Sequence, residues 1–326
     1  MRGYRYIVFL IAAFVLAGCQ REPEVQLPIR ECAPLPAGGR ASASVCVLDG
    51  KAYVFAGRDK NGKYLNDLWQ YDPETDNWTD MGTTPLNPRV KCVCTAYEGA
   101  LYLGLGFGVG GVYNKNSYLC DWWRWEPGTN TWTRLAEYES QRTISPVPYI
   151  CGERIYTIYG TDGCFSRDIT YYDIPSDSWH TEPEDWHRAK SVFGGVGASV
   201  QGRCFFGLGN NTFNLSQWFE VSLPTDTWTQ RHSLPGKGRA LCACCGTDRY
   251  IYIFGGRYFA GELTGGEVFA DYHRYDPQKD SWERCGLMPG GRAENQIAFT
   301  IHGKVYFGLG ENENGKALNT LYCIEE

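Results

Sequence analysis

A tryptophan recurs at positions 78, 132, 179, 228 and 282, at spacings of 54, 47, 49 and 54 residues. Each closes a similar phrase: Tyr71 to Trp78 reads Tyr-Asp-Pro-Glu-Thr-Asp-Asn-Trp, Tyr172 to Trp179 Tyr-Asp-Ile-Pro-Ser-Asp-Ser-Trp, and Tyr275 to Trp282 Tyr-Asp-Pro-Gln-Lys-Asp-Ser-Trp. Trp125 to Trp132 is a variant, and Val221 to Trp228 a worn copy. The Asp-Pro and Asn/Asp clusters set a turn between two extended runs, and the Trp opens the following strand. A second column lies earlier in each unit, an aromatic followed four residues later by Gly: Tyr53/Gly57, Tyr102/Gly106, Tyr156/Gly160, Phe205/Gly209, Tyr252/Gly256 and Tyr306/Gly310. Runs such as Ala52-Tyr53-Val54-Phe55 suit strands buried on both faces, and no window sustains a helical period. A period near fifty residues with four strands per unit describes the blade of an all-β propeller.

The ends set the blade number. The sixth unit, from Arg292 to Glu326, stops after a third strand and has no Trp. Ile29-Arg30-Glu31-Cys32-Ala33-Pro34-Leu35-Pro36 aligns with Trp282 to Pro289, the outer strand of the fifth unit. The N-terminal segment is therefore expected to complete the last blade, closing a six-bladed ring and removing an open sheet edge. Residues 29–326 are expected to form a single domain.

From Ile29 to the end the chain resembles kelch repeats, which pair Gly-Gly after the second strand with a Tyr and a Trp downstream. Only Gly255-Gly256 keeps both glycines; the other units carry Ala56, Leu105, Tyr159, Leu208 and Leu309 in the first place.

Residues 1–18 read as a signal peptide, with Arg2 and Arg5 before the apolar run Ile7 to Leu16. Leu16-Ala17-Gly18-Cys19 resembles the lipobox of bacterial lipoproteins, which implies acylation of Cys19. Residues 19–28 would then be a lipidated tether, and membrane attachment would be through the lipid alone. Gln20 after the Cys, in place of an inner-membrane retention Asp, points to the outer membrane of a bacterial envelope, with the periplasmic and surface faces both open. Without Arg2 and Arg5, 29 basic side chains (31 less two) face 37 acidic ones, so the charge falls from −6 to −8. Such a chain has no electrostatic footprint for nucleic acid.

The functional candidates lie in the loops that enter the inner strands and follow the Gly column. Arg40, Arg89, Arg142, Arg188, Arg239 and Arg292 open the units. They would either form a positive ring suited to a carboxylate or hold neighbouring blades together by bonding loop carbonyls and acids, the structural role being favoured. After the Gly column come Arg58, Asp59 and Lys60; Phe107; Thr161 and Asp162; Asn210 and Asn211; Arg257 and Tyr258; and Glu311 and Asn312. Mixed aromatics, amides and charges suit a sugar. Thirteen cysteines remain after Cys19, in spacings unlike a zinc site; Cys92, Cys94, Cys242 and Cys244 read as small apolar filler on inner strands, with a disulfide or a bound metal as the alternative. Glu267, Asp271 and His273 read as ordinary strand polarity. No cofactor or metal is expected.

Two enzyme families share the scaffold. Galactose oxidase-like proteins imply copper held by two Tyr and two His. The five histidines, His180, His187, His232, His273 and His302, do not pair in channel-facing loops, which argues against copper oxidation. Similarity to the sialic acid mutarotases (N-acetylneuraminate epimerases) implies a Glu just after the Gly column and an Arg a few residues on. Glu311 fits the first position; Ala317 occupies the second, with Lys316 beside it. The leading expectation is a binding module for carbohydrate or an envelope protein. The alternatives are a sugar mutarotase using Glu311 with Lys316 or a ring arginine, and a purely structural part of an envelope complex. Oligomeric state is open.

Overall fold

The structure, a computed structural model, describes residues 25–325 apart from 111–113, 139–144, 161–168, 183–191, 226 and 262–264. Six antiparallel sheets stand around an axis, five of four strands and the first of five, where the two-residue strand Arg40–Ala41 joins the strand Lys51–Asp59 beside Ser44–Leu48. Their inner strands are Ser44–Leu48, Val93–Tyr97, Val147–Cys151, Val196–Val200, Ala243–Gly246 and Ile297–Ile301. Each inner strand packs on the next, and the sixth returns to the first. The expected all-β, six-bladed kelch-type propeller is the observed one.

The last blade is closed as the alignment of the ends implies. Ile29–Cys32 pairs antiparallel with Leu321–Ile324, Ile29 opposite Ile324 and Cys32 opposite Leu321. The sheet thus joins the two ends of the described chain through backbone hydrogen bonds, and Val25 N–H adds a 3.1 Å bond to the Arg284 carbonyl of blade 5.

The repeated Tyr…Asp…Trp phrase has a mechanical reason. In blade 1, Tyr71 donates its hydroxyl hydrogen to Asp76 at 2.6 Å. The same carboxyl oxygen accepts from the Ala33 N–H at 2.9 Å, and Trp78 Nε1–H donates to the Ala33 carbonyl at 2.8 Å. Ala33 follows the outer strand of blade 6, so the phrase grips the neighbouring blade's rim. Blade 3 repeats this on Ala136 through Tyr172, Asp177 and Trp179, and blade 5 on His232 through Tyr275, Asp280 and Trp282. Blade 2 substitutes Trp125, which donates to Asn130 within its own turn at 2.9 Å.

The Gly column is steric. At Gly106 an added Cβ would lie 2.7 Å from the Cys92 Cβ and 2.8 Å from the Val90 carbonyl oxygen; at Gly209 it would lie 2.1 Å from the Val192 side chain. The preceding residues, Ala56, Leu105, Tyr159, Leu208 and Leu309, all have φ between 54° and 63°, the left-handed region where a kelch repeat ordinarily has glycine. Ala56, Leu105, Leu208 and Leu309 are buried, so apolar burial offsets a left-handed cost of about 1–2 kcal/mol.

Candidate functional site

Where the chain enters each inner strand, one residue per blade adopts a left-handed conformation: Ser42, Lys91, Ser145, Gly194, Leu241 and Asn295, with φ from 53° to 61°. That turn aims backbone N–H and C=O groups around the axis, and five blade-to-blade bonds result among the described residues. Lys91 donates to the Ser42 carbonyl and Ser145 to that of Lys91, both at 3.0 Å. Leu241 donates to Gly194 and Asn295 to Leu241, both at 2.9 Å, and Ser42 donates to Asn295 at 3.0 Å. Backbone hydrogen bonds thus lace blade to blade around the mouth of the central channel. The same six residues line a cavity of about 190 Å³ there.

The mouth carries a charged cluster assembled from four blades. Lys91 of blade 2 donates from Nζ to Asn295 Oδ1 of blade 6 at 2.9 Å. Asn295 Nδ2 donates to Glu311 Oε1 at 2.9 Å, and Arg58 of blade 1 binds Glu311 Oε2. Arg257 of blade 5 clamps the buried Glu294 through Nε, 2.9 and 2.8 Å from its two carboxylate oxygens. Glu294 and Glu311 stand directly opposite each other on the ribbon formed by Ala293–Glu294 and Glu311–Asn312. Directly opposed like charges destabilise a ribbon, so each carboxylate has its own guanidinium. Three cations against two carboxylates leave one net positive charge. Burial pushes the Lys91 ammonium down to about 8, with Glu294 and Glu311 pulling it up and Arg58 pushing further down. Phe193 of blade 4 lies under the ammonium, 4.9 Å from nitrogen to ring centroid, and neighbours Phe259 of blade 5 at 6.5 Å.

Arg40, Arg89 and Arg239 are not available to a ligand, which corrects the ligand-binding expectation for them. They are 1%, 0% and 2% exposed. Arg89 makes two 2.8 Å bonds to Asp121 and one of 3.0 Å to the Leu105 carbonyl. Arg40 does the same with Asp67 and Ala56, and Arg239 with Asp271 and Gly255. Each ties the entry of the inner strand to the left-handed residue before the Gly column and to an acid at the third strand. The arginines do bond carbonyls and acids, but within one blade and not between neighbouring blades as expected. Burial raises the Asp271 carboxyl, but His273 and Arg239 more than reverse it and hold it well below the usual range. Asp271 therefore serves Arg239, while Glu267 bonds Lys237 at 2.8 Å on the surface.

Arg292 stands one place out of the column, because Ala293 is the residue two before left-handed Asn295. It is a rim residue, 3.5 Å from Glu267 and 3.4 Å from Glu313. Arg142, Arg188, His187, Thr161 and Asp162 lie outside the described residues, as does Cys19. Lys316 is exposed, and its backbone closes the 312–316 turn by donating to Asn312 Oδ1 at 3.1 Å. The cation on Glu311 is Arg58, which displaces Lys316 from the partnership expected for it. Asn210 accepts from the Thr212 N–H at 3.2 Å and shapes its own loop. Tyr258 lies under Lys237 at 5.4 Å. Lys91, Asn295, Glu294 and Phe193 escaped the reading of the sequence. Their signal was an offset: Lys91 stands two places after Arg89, as Ser42 and Leu241 do after Arg40 and Arg239.

Six antiparallel blades, a Tyr…Asp…Trp grip and a polar, charged channel mouth define a β-propeller. The chain belongs to the kelch-repeat family: residues 25–209, more than half of it, match the KLHDC2/KLHL20/DRC7 Kelch-repeats domain, and residues 238–289 match a Kelch motif. It is similar to Kelch-like protein 25 of Xenopus tropicalis, 25% identical over 77% of this chain and 41% of that protein. The matched region thus spans about two fifths of such relatives. N-acetylneuraminate epimerase of Shigella sonnei is 30% identical over 125 residues, 37% of this chain and 32% of that one. The solved structure of YjhT superposes with a TM-score of 0.72 at 15% identity, covering 90% of this chain and 96% of that one, a likeness of fold.

Proposed function

We propose that this chain is an envelope-anchored binding module whose channel mouth holds a small anionic carbohydrate, a sugar carrying a carboxylate. The observation that carries the reading is the cluster of Arg58, Lys91 and Arg257 against Glu294 and Glu311, a net positive mouth on a chain of formal charge −6. A carboxylate would sit against Lys91 and Asn295, hydroxyls would bond Asn295 and Glu311, and a ring face would lie on Phe193. At about 190 Å³ the cavity suits one terminal residue of a glycan. Anchoring through Cys19 would present this mouth at a membrane surface.

The second reading is a sugar mutarotase with Glu311 as acid–base group, supported by the partial similarity to N-acetylneuraminate epimerase. Both oxygens of Glu311 are already engaged, one by Asn295 and one by Arg58, which favours a holding role over proton transfer. Calorimetric titration of sugar acids and their neutral counterparts separates these readings when paired with exchange NMR of the α anomers. Binding of the acids alone, weakened at least tenfold in Lys91→Met and without faster anomer exchange, is the expected result. Exchange accelerated by the wild type and abolished in Glu311→Gln would replace the binding module with an enzyme. No affinity for any sugar acid would overturn both.

A further inference from the structure

The inner strands of blades 1 and 2 meet side by side in rungs. In one rung Ser44 Oγ lies 2.6 Å from the Cys92 carbonyl and 3.2 Å from the Cys92 sulfur. Two residues along, on the same faces, Cys46 Sγ lies 3.0 Å from Cys94 Sγ. Two unbonded sulfurs rest farther apart than this, and a disulfide closes at about 2.0 Å, so roughly 1 Å of travel separates the thiols from a bond. Cys94 is 3% exposed, whereas Cys46 is only half-buried and can be reached first. The other close cysteines are worse placed. Cys244 and Cys245 are successive residues of one strand and point to opposite faces. The Cys32 and Cys323 thiols share a hydrogen bond, but Cys32 stands opposite Leu321, so Cys323 is its diagonal neighbour. Diagonal Cα atoms lie about 7–8 Å apart, at or beyond the reach of an ordinary disulfide.

We infer that Cys46 and Cys94 are a redox-active pair that forms an interblade disulfide by exchange with a small-molecule or protein disulfide. The thiolate of Cys46 attacks one sulfur of that disulfide, breaking its S–S bond, forming a mixed disulfide and releasing one thiol. Cys94 then gives up its proton, and its sulfur attacks Cys46 Sγ and displaces the second thiol. Two protein thiols are oxidised and one external disulfide is reduced to two thiols. Burial and the contact with Cys46 push the Cys94 thiol well up, so its thiolate is scarce and the second, intramolecular step relies on the 3.0 Å proximity of the two sulfurs. An oxidising envelope, the compartment proposed above, supplies such disulfides. The bond would fix blade 1 to blade 2 beside the mouth that Lys91 lines.

The test is treatment of the native, full-length protein with oxidised glutathione, followed by alkylation and non-reducing peptide mapping. A cross-linked Cys46–Cys94 peptide is expected, with both residues protected from iodoacetamide. The urea midpoint of oxidised wild type should rise above that of the reduced form, a rise absent from Cys46→Ser. The main readout is made on wild type, so a poorly folding variant does not blunt it. Full alkylation of both cysteines after oxidation, a Cys46 adduct that stops at glutathione, or a cross-link elsewhere that leaves this pair reduced would overturn the inference.

Discussion

Residues are used here in two opposite ways, and burial separates them. Arg40, Arg89 and Arg239 are saturated by an acid and a carbonyl and withdrawn from solvent, so their charge is spent inside the fold. Lys91 has a similar place in the chain, two residues beyond such an arginine, yet its ammonium reaches across the mouth to Asn295. Its depressed value of about 8 has a definite sign. The folded state releases this proton before the unfolded chain does, so between about pH 8 and the ordinary lysine range the unfolded state holds more protons. Folding stability attributable to Lys91 therefore rises with pH through that window, while the charge available to an anion is lost. Affinity for a sugar acid should fall above about pH 8, and Lys91→Met should remove that step. A pH series of calorimetric titrations on both proteins checks this. An unchanged profile in the variant would assign the step to another group.

At the scale of elements, the outer-strand grip explains why the Tyr, Asp and Trp recur while the residues between them drift. Asp177 ties Tyr172 to the Ala136 N–H, and Trp179 holds the Ala136 carbonyl, so one turn of blade 3 secures the end of blade 2. Asp177→Ala leaves the hydroxyl of the buried Tyr172 and one N–H without their acceptor. A loss of about 2 kcal/mol is expected, since each orphaned group costs about 1–3 kcal/mol and water reaches part of this turn. Urea denaturation monitored by tryptophan fluorescence measures it, and a change under 0.5 kcal/mol would show that the grip is dispensable. These elements were legible in the sequence because a turn and its grip are local signals that repeat. The two-residue ribbon that brings Glu294 opposite Glu311 was not legible. Neither stretch has strand length or periodicity, and the ribbon exists only because the loops around the Gly column are pressed together at the axis.

The whole molecule is a ring, so its stability rests on closure as well as on its parts. The inner strands contact one another in sequence around the axis, backbone hydrogen bonds lace their entries, and one rim strand arrives from the far end of the chain. A chain beginning at Ala37 lacks Ile29–Cys32 and exposes Leu321–Ile324, a fully buried strand, as an open edge. It should melt at lower temperature and associate at micromolar concentrations, and adding a peptide of residues 29–36 should reverse part of both effects. Thermal melts with light scattering would reveal this, and an unaltered monomer would mean that the rim strand is not needed. Position by position, the amino-acid order alone determined the blade number, the strand-turn-strand rhythm and the alignment of residues 29–36 with an outer strand. Each of these follows from side-chain size and turn chemistry acting over a few residues and repeated six times. Which side chains meet at the mouth was decided by the closed ring. Arg58, Lys91, Asn295 and Glu311 come from three blades, contacting partners standing up to 253 positions apart in the chain, and become neighbours only when the first and last blades join. Chain proximity carries no information about such a meeting, because the hydrogen bonds and charges that recognise a ligand act through space.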